Sequence, residues 1–394
     1  MEKLFEYQHI LLKNLNDKFE RFLMKRIHWE ERMVGIKGPR GSGKTTLMLQ
    51  YLKYHLKERD RALYFTVEHP WFLTHNLFYT VEEFYKIGGR YVFIDEVHKY
   101  LGWSGELKLI YDAFPDMRLV FSSSSALEIH KGEADLSRRV LMYELPGLSF
   151  REYLEFVYDI KVPAYALEEI FSSHTEIARK LSDIDKLLPK FKDYLHHGYY
   201  PATKHIAPTV YLAYLYNVIN AVLEQDLPAI SGLTATTVFK LKRILGIIAE
   251  SAPFEPNITA IASKTGTGRN TVLHFLHLLR NARLLNFLLR NKHGISALQK
   301  PYKIYLENTN LAYALKDNPN DGTLRETFVL NQVVNAGYEI TYPGNCDFLI
   351  AGKYYIEVGG KNKKVKDGNV YILKDNVLTG FGKTIPLWLF GFLY

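Results

Sequence analysis

Short apolar runs alternate with helical stretches in the first part of the chain. The runs lie at Met33–Ile36, Ala62–Val67, Tyr91–Ile94 and Leu119–Phe121. Near-continuous apolar runs separated by helices are typical of buried parallel strands, because helices cover both faces of such a sheet. We therefore expect an α/β domain with a parallel sheet over residues 1–150.

The pattern changes three times after residue 150. Residues 151–251 carry almost no strand signal, and apolar positions such as Leu212, Leu215 and Ile219 recur at helical spacing, so we expect a helical lid. Residues 252–306 mix helical and strand patterns, and residues 307–394 return to short strands around one helix near 324–334. Four domains are therefore predicted, since 394 residues are too many for one ordinary core.

A glycine-rich stretch follows the first predicted strand and fits the pattern G-x-x-x-x-G-K-[ST]. Its residues are Gly38, Pro39, Arg40, Gly41, Ser42, Gly43, Lys44 and Thr45, and Thr46 continues into the next helix. Such a loop turns its backbone N–H groups toward phosphate oxygens, with Lys44 at the β- and γ-phosphates and Thr45 at Mg²⁺. The flanking strand and helix favour a site for ATP (or ADP) over an ordinary glycine turn.

Two acids end the third apolar run. Asp95 and Glu96 follow Tyr91–Ile94 directly. In a Walker B arrangement Asp95 would hold Mg²⁺, and Glu96 would polarise the attacking water as general base. An apolar run that ends in Asp-Glu is by itself often a solvated strand end. Its place after a phosphate-binding loop favours the catalytic interpretation.

Polar residues also follow the fourth run, which ends in four serines. A hydroxyl there can bond the γ-phosphate or the lytic water, and Ser124 (or Ser123) is the candidate for this sensor role. A plain serine loop fits equally well. Further on, Arg138 and Arg139 suit an arginine finger acting in cis or in trans, although a surface ion pair with Asp135 or Glu133 is an equal alternative.

Several of these stretches resemble a known family of prokaryotic AAA-type ATPases. The matching residues are Ile36–Thr46, Phe93–Tyr100, Trp103 and Gly147–Leu154. In this family a winged helix and a restriction-endonuclease-like domain of unknown function form the C-terminal half. The resemblance covers nearly the whole chain, is strongest in the ATPase part, and implies ATP binding with slow hydrolysis. The family usually has Thr-Gly-Ser-Ser where this chain has Ser122–Ser125.

The net charge of +8 is confined to one segment. No acidic residue occurs between Glu255 and Glu307, whereas this window holds eight cations: Lys264, Arg269, Arg280, Arg283, Arg290, Lys292, Lys300 and Lys303. The rest of the chain is therefore close to neutral. A charge concentrated in this way indicates an anionic partner.

The same window has the pattern of a winged helix. A short helix, a glycine turn and a second helix over Arg269–Arg280 precede two predicted strands around a basic wing. The second helix of such a domain enters a major groove, so the candidate nucleic-acid-binding residues are Arg269, Asn270, Arg280 and Lys292. The alternative is a solvated basic helix in a domain that only packs against proteins.

Three acids in the last part resemble the PD-(D/E)xK nuclease arrangement: Glu326 on the predicted helix, with Asp347 and Glu357 on strands. Two carboxylates can bind a divalent metal, and a lysine two residues on would position the attacking water. That position is Gly359, and Lys361 lies about 7 Å further along an extended strand. Cleavage would require Lys361 to fold back; otherwise the domain is a degenerate scaffold or a partner surface.

Other features limit the class of protein. Cys346 is the only cysteine, which excludes an internal disulfide and a Cys-based zinc cage. No apolar run reaches the roughly 18 residues of a membrane helix, and the first residues lack the pattern of a signal peptide. We expect a soluble cytoplasmic protein, with a homo-oligomer or a protein partner left open.

The predicted function is Mg²⁺-dependent ATP binding and hydrolysis, coupled to a module that binds nucleic acid. Two other functions fit the same residues. One is a nucleotide-gated switch or protein-docking module with negligible turnover. The other is an ATP-regulated, metal-dependent nuclease.

Overall fold

The chain forms two compact units. A computed structural model describes residues 1–15, 18–123, 136, 138–228, 233–251, 253, 255–290, 300–363 and 369–394. The first unit comprises Met1–Gly147 with Glu224–Leu233, and the second comprises Leu148–Leu223 with Thr234–Tyr394. No helix in the described ranges combines the length and apolar content needed to cross a bilayer.

A five-stranded sheet forms the centre of the first unit, and each pair of neighbouring strands is parallel. Its strands are β1 (Met33–Lys37), β2 (Ala62–Thr66), β3 (Tyr91–Asp95), β4 (Arg118–Ser123) and β5 (Leu141–Glu144), in the order β2-β3-β4-β1-β5. The helices are α1 (Glu2–Asn14), α2 (Lys44–Gln50), α3 (Leu77–Lys86) and α4 (Trp103–Ala113). The predicted parallel sheet is confirmed. The edge strand β5 was not predicted, because its residues are only partly buried.

Apolar clusters cover both faces of this sheet. Leu63 and Phe65 of β2 belong to one cluster, and Tyr64 belongs to the other, because side chains alternate along a strand. Burial on both faces explains why the strands read as continuous apolar runs. The register pairs Lys37 with Ser123 and Thr66 with Asp95, so the carboxyl ends of the strands share one edge.

The second unit contains a seven-stranded mixed sheet in the order β12-β11-β10-β9-β8-β6-β7. Its strands are β6 (Leu285–Arg290), β7 (Lys303–Leu306), β8 (Ile340–Tyr342), β9 (Phe348–Ile350), β10 (Tyr354–Gly359), β11 (Tyr371–Lys374) and β12 (Thr384–Pro386). Its helices are α5 (Phe150–Tyr158), α6 (Leu167–Leu181), α7 (Leu187–His197), α8 (Pro208–Ala221), α9 (Ala235–Ser251), α10 (Ile258–Thr265), α11 (Arg269–Asn281), α12 (Thr309–Leu315) and α13 (Asp321–Asn335).

Helices and strands occur where the winged-helix pattern placed them. Gly266 ends α10 in the left-handed conformation (φ 60°), which favours glycine, and α11 follows after Gly268. β6 pairs antiparallel with β7, but it also pairs parallel with β8. These strands are therefore continuous with the C-terminal sheet. The winged-helix name and the division into four domains stay predictions.

A buried polar network connects elements of the second unit that are distant in sequence. Asn310 accepts hydrogen bonds from the Tyr199 amide and the Tyr211 hydroxyl, both at 2.9 Å. On α13, Asn331 donates to the Glu307 carbonyl at 2.8 Å, and Gln332 donates to the Tyr194 hydroxyl at 3.0 Å. Buried polar groups need such partners, so the network fixes which helices pack together.

Glu307 is the most deeply buried acid of this network, with 1% of its surface exposed. Its carboxylate lies 3.6 Å from the Arg283 guanidinium. Burial raises the pKa of Glu307 to about 7, although Arg283 and Arg280 favour the charged form. The fold therefore favours the protonated acid at mildly acidic pH.

We predict that Glu307→Gln gains stability relative to the wild type as the pH rises from 5 to 8. Because the pKa of Glu307 is raised in the folded chain, its protonated form adds to the unfolding free energy of the wild type. This contribution is fully present below pH 4.5, the ordinary pKa of a glutamate, and is lost by about pH 7. The difference in unfolding free energy should change by roughly 3 kcal/mol over this range. Urea unfolding of both proteins at each pH measures it, and parallel pH curves would contradict it.

Candidate nucleotide site

The loop between β1 and α2 owes its shape to three glycines. Gly41 and Gly43 have φ angles of 82° and 94°, a region that L side chains rarely adopt. At Gly38, a Cβ atom would lie 2.2 Å from the Leu145 carbonyl oxygen. Larger residues at these positions would strain or displace the loop.

Lys44 is buried at the start of α2 and closes this loop. Its Nζ donates to the carbonyls of Gly38 and Pro39, each at 3.0 Å. Burial lowers the pKa of Lys44, and the nearby Glu96 and Asp95 act in the opposite direction. The ammonium is thus held inside the loop, where phosphate oxygens can replace the two carbonyls as acceptors.

Asp95 ends β3 and collects hydroxyl groups from three other elements. Its Oδ2 accepts from Thr45 at 2.6 Å and from Tyr64 at 2.8 Å. Its Oδ1 accepts from Ser122 of β4. Burial and the neighbouring Asp95 raise the pKa of Tyr64, so the phenol stays protonated and remains a donor. The carboxylate is buried, with 4% of the residue exposed.

Glu96 follows at a sharp turn of the backbone, with φ 57° in the left-handed region. Its amide donates to the Ser122 hydroxyl at 3.1 Å, so Ser122 links both acids. Its Oε2 lies 3.6 Å from His98 Nε2 and 3.9 Å from Lys99 Nζ. Burial raises the pKa of Glu96, whereas Lys44 is the main opposing charge. Strained residues at such turns often belong to functional sites.

His98 and a cavity lie beside Glu96. Burial lowers the pKa of His98 to about 3, with smaller contributions from Lys99 and Lys44, so its imidazole is neutral at pH 7. The cavity has a volume of about 420 Å³. Its lining residues are Glu68, His98, Lys99, Tyr100, Leu101, Gly102, Trp103, Gln225 and Asp226.

Asp226 is a residue of this site that sequence reasoning missed. Its Oδ1 accepts from Arg40 Nη1 of the loop at 2.9 Å, although the two residues are 186 positions apart. Asp226 is 4% exposed and the Arg40 side chain is 37% exposed. Nothing in the local pattern marks Asp226, because its role depends on a contact between distant segments.

The structure brings the Ser122 hydroxyl to both acids. Ser124 lies outside the described residues. Ser123 is buried at the end of β4, and Ser122 contacts both Asp95 and Glu96. The strand register, which pairs Ser122 with Ile36, fixes this choice and was not accessible from the four serines alone.

Neither Arg138 nor Arg139 is placed beside the loop. Arg139 makes a two-point ion pair with Asp112 near the end of α4, with both distances 3.0 Å. The two arginines precede β5, which runs parallel to β1. They therefore lie toward the amino ends of these strands, whereas the loop follows the carboxyl end of β1. Arg138 is exposed. A finger role in cis is therefore not supported, and a role in trans stays a prediction.

The basic window divides into paired and exposed cations. Arg283 lies near Glu307, and Lys303 lies 3.6 Å from Glu326. The exposed cations are Lys264, Arg269, Arg280, Arg290 and Lys300, and the polar Asn270 is also exposed. Lys292 lies outside the described residues. Three of the four candidate nucleic-acid-binding residues thus present their side chains to solvent.

The nuclease-like residues are arranged differently from the prediction at the lysine. Lys361 is exposed, and it is Lys363 whose Nζ lies 2.5 Å from Glu357 Oε2. The chain turns after β10, with the Lys363 amide donating to the Gly360 carbonyl at 3.0 Å. This turn packs the Lys363 side chain over Gly359, where a Cβ atom would lie 2.6 Å from it. The turn after β10 thus brings Lys363 to Glu357, whereas the sequence offered Lys361 for such a fold back.

The nuclease-like acids themselves use protein groups as partners. Glu326 accepts from the Tyr305 hydroxyl at 2.6 Å, and Asp347 accepts from the Val358 amide at 2.8 Å. Burial raises the pKa of Asp347 to about 6, and the charges of Glu326 and Glu357 add to the shift. Across the described ranges, no group of three or more His, Cys, Asp or Glu side chains is arranged to hold a metal ion.

The residues around the glycine loop do fit magnesium and phosphate. Mg²⁺ is typically bound by one or two carboxylates together with substrate phosphates. Asp95 supplies a carboxylate, and the Thr45 hydroxyl beside it supplies a further oxygen. The Ser42 hydroxyl is buried and has no hydrogen-bond partner within the described part of the chain. A buried hydroxyl of this kind is uncommon, and a phosphate oxygen would satisfy it.

Comparison with known proteins supports this assignment. The sequence model of a family described as an AAA domain matches residues 30–154, and that of a domain of unknown function matches residues 188–322. An uncharacterised protein of Methanocaldococcus jannaschii is 24% identical over 93% of this chain and 81% of its own length. The chain thus carries a P-loop domain of the AAA type, which supports ATP binding and hydrolysis.

Solved structures add little to this result. C. elegans PCH-2 is 16% identical, with a TM-score of 0.26, over 71% of this chain and 67% of its own. AMPPCP-bound DnaA from Aquifex aeolicus is 13% identical, with a TM-score of 0.24, over 70% and 87%. Because these TM-scores are below 0.5, we draw no inference from them.

We predict that Ser122→Ala lowers the rate of ATP hydrolysis roughly tenfold, since it removes a hydrogen bond to a buried carboxylate and frees the Glu96 amide. Steady-state phosphate release measures the effect. Ser172→Ala, which removes the hydroxyl of an exposed serine on α6, serves as the control and should change the rate less than twofold. Equal losses in both variants would exclude the special role of Ser122.

Proposed function

We propose that this chain binds Mg·ATP in the loop Gly38–Thr45 and hydrolyses it, with Glu96 as the general base. The observation that supports this most directly is the buried Asp95 carboxylate, which accepts hydroxyls from Thr45, Tyr64 and Ser122 beside Lys44. Bound Mg²⁺ would neutralise phosphate charge during the reaction. The remaining steps follow from the side chains of the chain.

Lys44 and Ser42 account for phosphate binding in this proposal. The Lys44 ammonium exchanges its carbonyl acceptors for β- and γ-phosphate oxygens, and the Ser42 hydroxyl gains the partner that it lacks among the described residues. Lys44 lies at the N-terminus of α2, where backbone N–H groups also favour an anion. Binding therefore replaces internal contacts of the loop by contacts to phosphate.

Glu96 activates water in this proposal, and its neighbours hold it in place. The strained backbone and the bond from the Glu96 amide to Ser122 fix its position relative to Asp95. Neutral His98 and charged Lys99 lie near one carboxylate oxygen, which limits the directions in which the side chain can turn. The water that it orients would enter through the neighbouring cavity.

We predict separate effects for the two central residues. Lys44→Ala should abolish the thermal stabilisation that millimolar Mg·ATP gives the wild type. Glu96→Gln should keep this stabilisation but lower phosphate release at least about 100-fold, since general bases contribute at least that much. Glu83→Gln, which changes an exposed acid on α3, is the control and should behave as the wild type.

Two outcomes would contradict the proposal in different ways. Equal, background-level phosphate release by the wild type and Glu96→Gln would favour the nucleotide-gated switch. If Mg·ATP did not stabilise the wild type against heat, the proposed nucleotide binding would itself be contradicted.

For the second unit, we propose that the exposed cations around α11 contact the phosphate backbone of nucleic acid. Five exposed cations lie in a stretch without acidic residues, and Arg269 and Asn270 begin α11, the helix that would approach a groove. The alternative, a surface that packs only against proteins, predicts no binding to duplex DNA that depends on these cations.

We predict that Arg269→Ala combined with Arg280→Ala weakens binding to duplex DNA about tenfold near 100 mM salt, and lowers the slope of log affinity against log salt by about 2. Fluorescence anisotropy over a salt series measures both. Arg179→Ala combined with Lys180→Ala removes two exposed cations of α6 and is the control. Affinity and slope unchanged in the first variant would eliminate this proposal.

A further inference from the structure

The glycine loop carries a second cation, and an acid from a distant segment neutralises it. Arg40 is the third residue of the loop, and its Nη1 lies 2.9 Å from Asp226 Oδ1. Asp226 is almost fully buried, with 4% exposure, whereas the Arg40 side chain retains 37%. The acid is therefore fixed, and the guanidinium is the partner that has room to move.

The charges of the Arg40–Asp226 pair affect the residues that would surround a bound phosphate. The charge of Arg40 lowers the pKa of both Lys44 and His98, although burial is the larger cause for each. The charge of Asp226 contributes to the raised pKa of Glu96. Asp226 also lines the cavity that His98 and Lys99 share. Both partners thus lie within electrostatic range of the lysine and the general base.

The Asp226 carboxylate and the γ-phosphate of a bound triphosphate would compete for the Arg40 guanidinium. Asp226 presents a carboxylate to Arg40, and a γ-phosphate presents more charge and further acceptors for the same guanidinium. A diphosphate lacks the group that would extend beyond Lys44 toward Glu96. Arg40 therefore has a reason to exchange partners when ATP binds, and less reason when ADP binds.

We propose that Asp226 is a specificity-determining residue that holds Arg40 until the γ-phosphate of a bound triphosphate replaces it. This inference rests on the proposed nucleotide site and deepens it, because the exchange sets the preference for ATP over ADP. Asp226 is the last residue of a π-helical turn, Val222–Asp226, that follows α8 along the chain. Loss of the ion pair releases this turn at its buried end, and such turns are frequent at functional sites.

Removing the carboxylate charge tests the exchange. We expect Asp226→Asn to raise the ratio of affinities for a non-hydrolysable ATP analogue and ADP roughly fivefold, because Arg40 no longer has an internal competitor. Isothermal titration calorimetry with each nucleotide and Mg²⁺ gives the ratio. Arg40→Met, which changes the more exposed partner, should lower the ratio, and Asp226→Asn should have no further effect in that background.

Glu224→Gln is the matched control, since Glu224 is an exposed acid of the same turn. An unchanged ratio in Asp226→Asn would overturn the inference. An equal rise in Glu224→Gln, or a rise that persists when Arg40 is Met, would also overturn it. If the wild type binds neither nucleotide, the proposed function fails; if it binds both and the ratio does not respond, only this inference fails.

Discussion

The first unit depends on one buried carboxylate. Burial of an ionised acid is costly unless hydrogen bonds replace the lost water, and Asp95 obtains them from Thr45, Tyr64 and Ser122. These hydroxyls come from α2, β2 and β4, which surround β3 only because the strand order is β2-β3-β4-β1. The same carboxylate acts electrostatically on Lys44, and in the proposed function it would hold Mg²⁺. Fold and chemistry therefore share one group.

The parts of this site that lie within one segment could be predicted from the sequence. The loop Gly38–Thr45 and the acids Asp95 and Glu96 follow directly from local patterns, because a strand, a turn and a helix are specified by neighbouring residues. Ser122 could not be chosen among four serines, since the choice depends on strand register. Asp226 could not be found at all, since 186 residues separate it from Arg40. The ion pair between Arg139 and Asp112 also joins separate segments, so neither local pattern predicts it.

The second unit shows the same limit. The cation-rich window was evident from the sequence, but the ion pairs that occupy Arg283 and Lys303 involve acids at its end and beyond it. Lys363 contacts Glu357 because the chain turns after β10, whereas the sequence offered Lys361 as the lysine that would have to fold back. Pairing of β6 with both β7 and β8 joins two predicted domains in one sheet. Each difference arises where a turn or a register, and not a residue type, decides the geometry.

The role of Asp95 as a metal ligand is the central claim, and Mn²⁺ in place of Mg²⁺ makes it measurable. Electron paramagnetic resonance can follow Mn²⁺ binding to the chain in the presence and absence of an ATP analogue. We predict one tightly bound Mn²⁺ per chain that requires the nucleotide and is lost in Asp95→Asn. Binding of the ion with unchanged affinity in Asp95→Asn, nucleotide present, would contradict it.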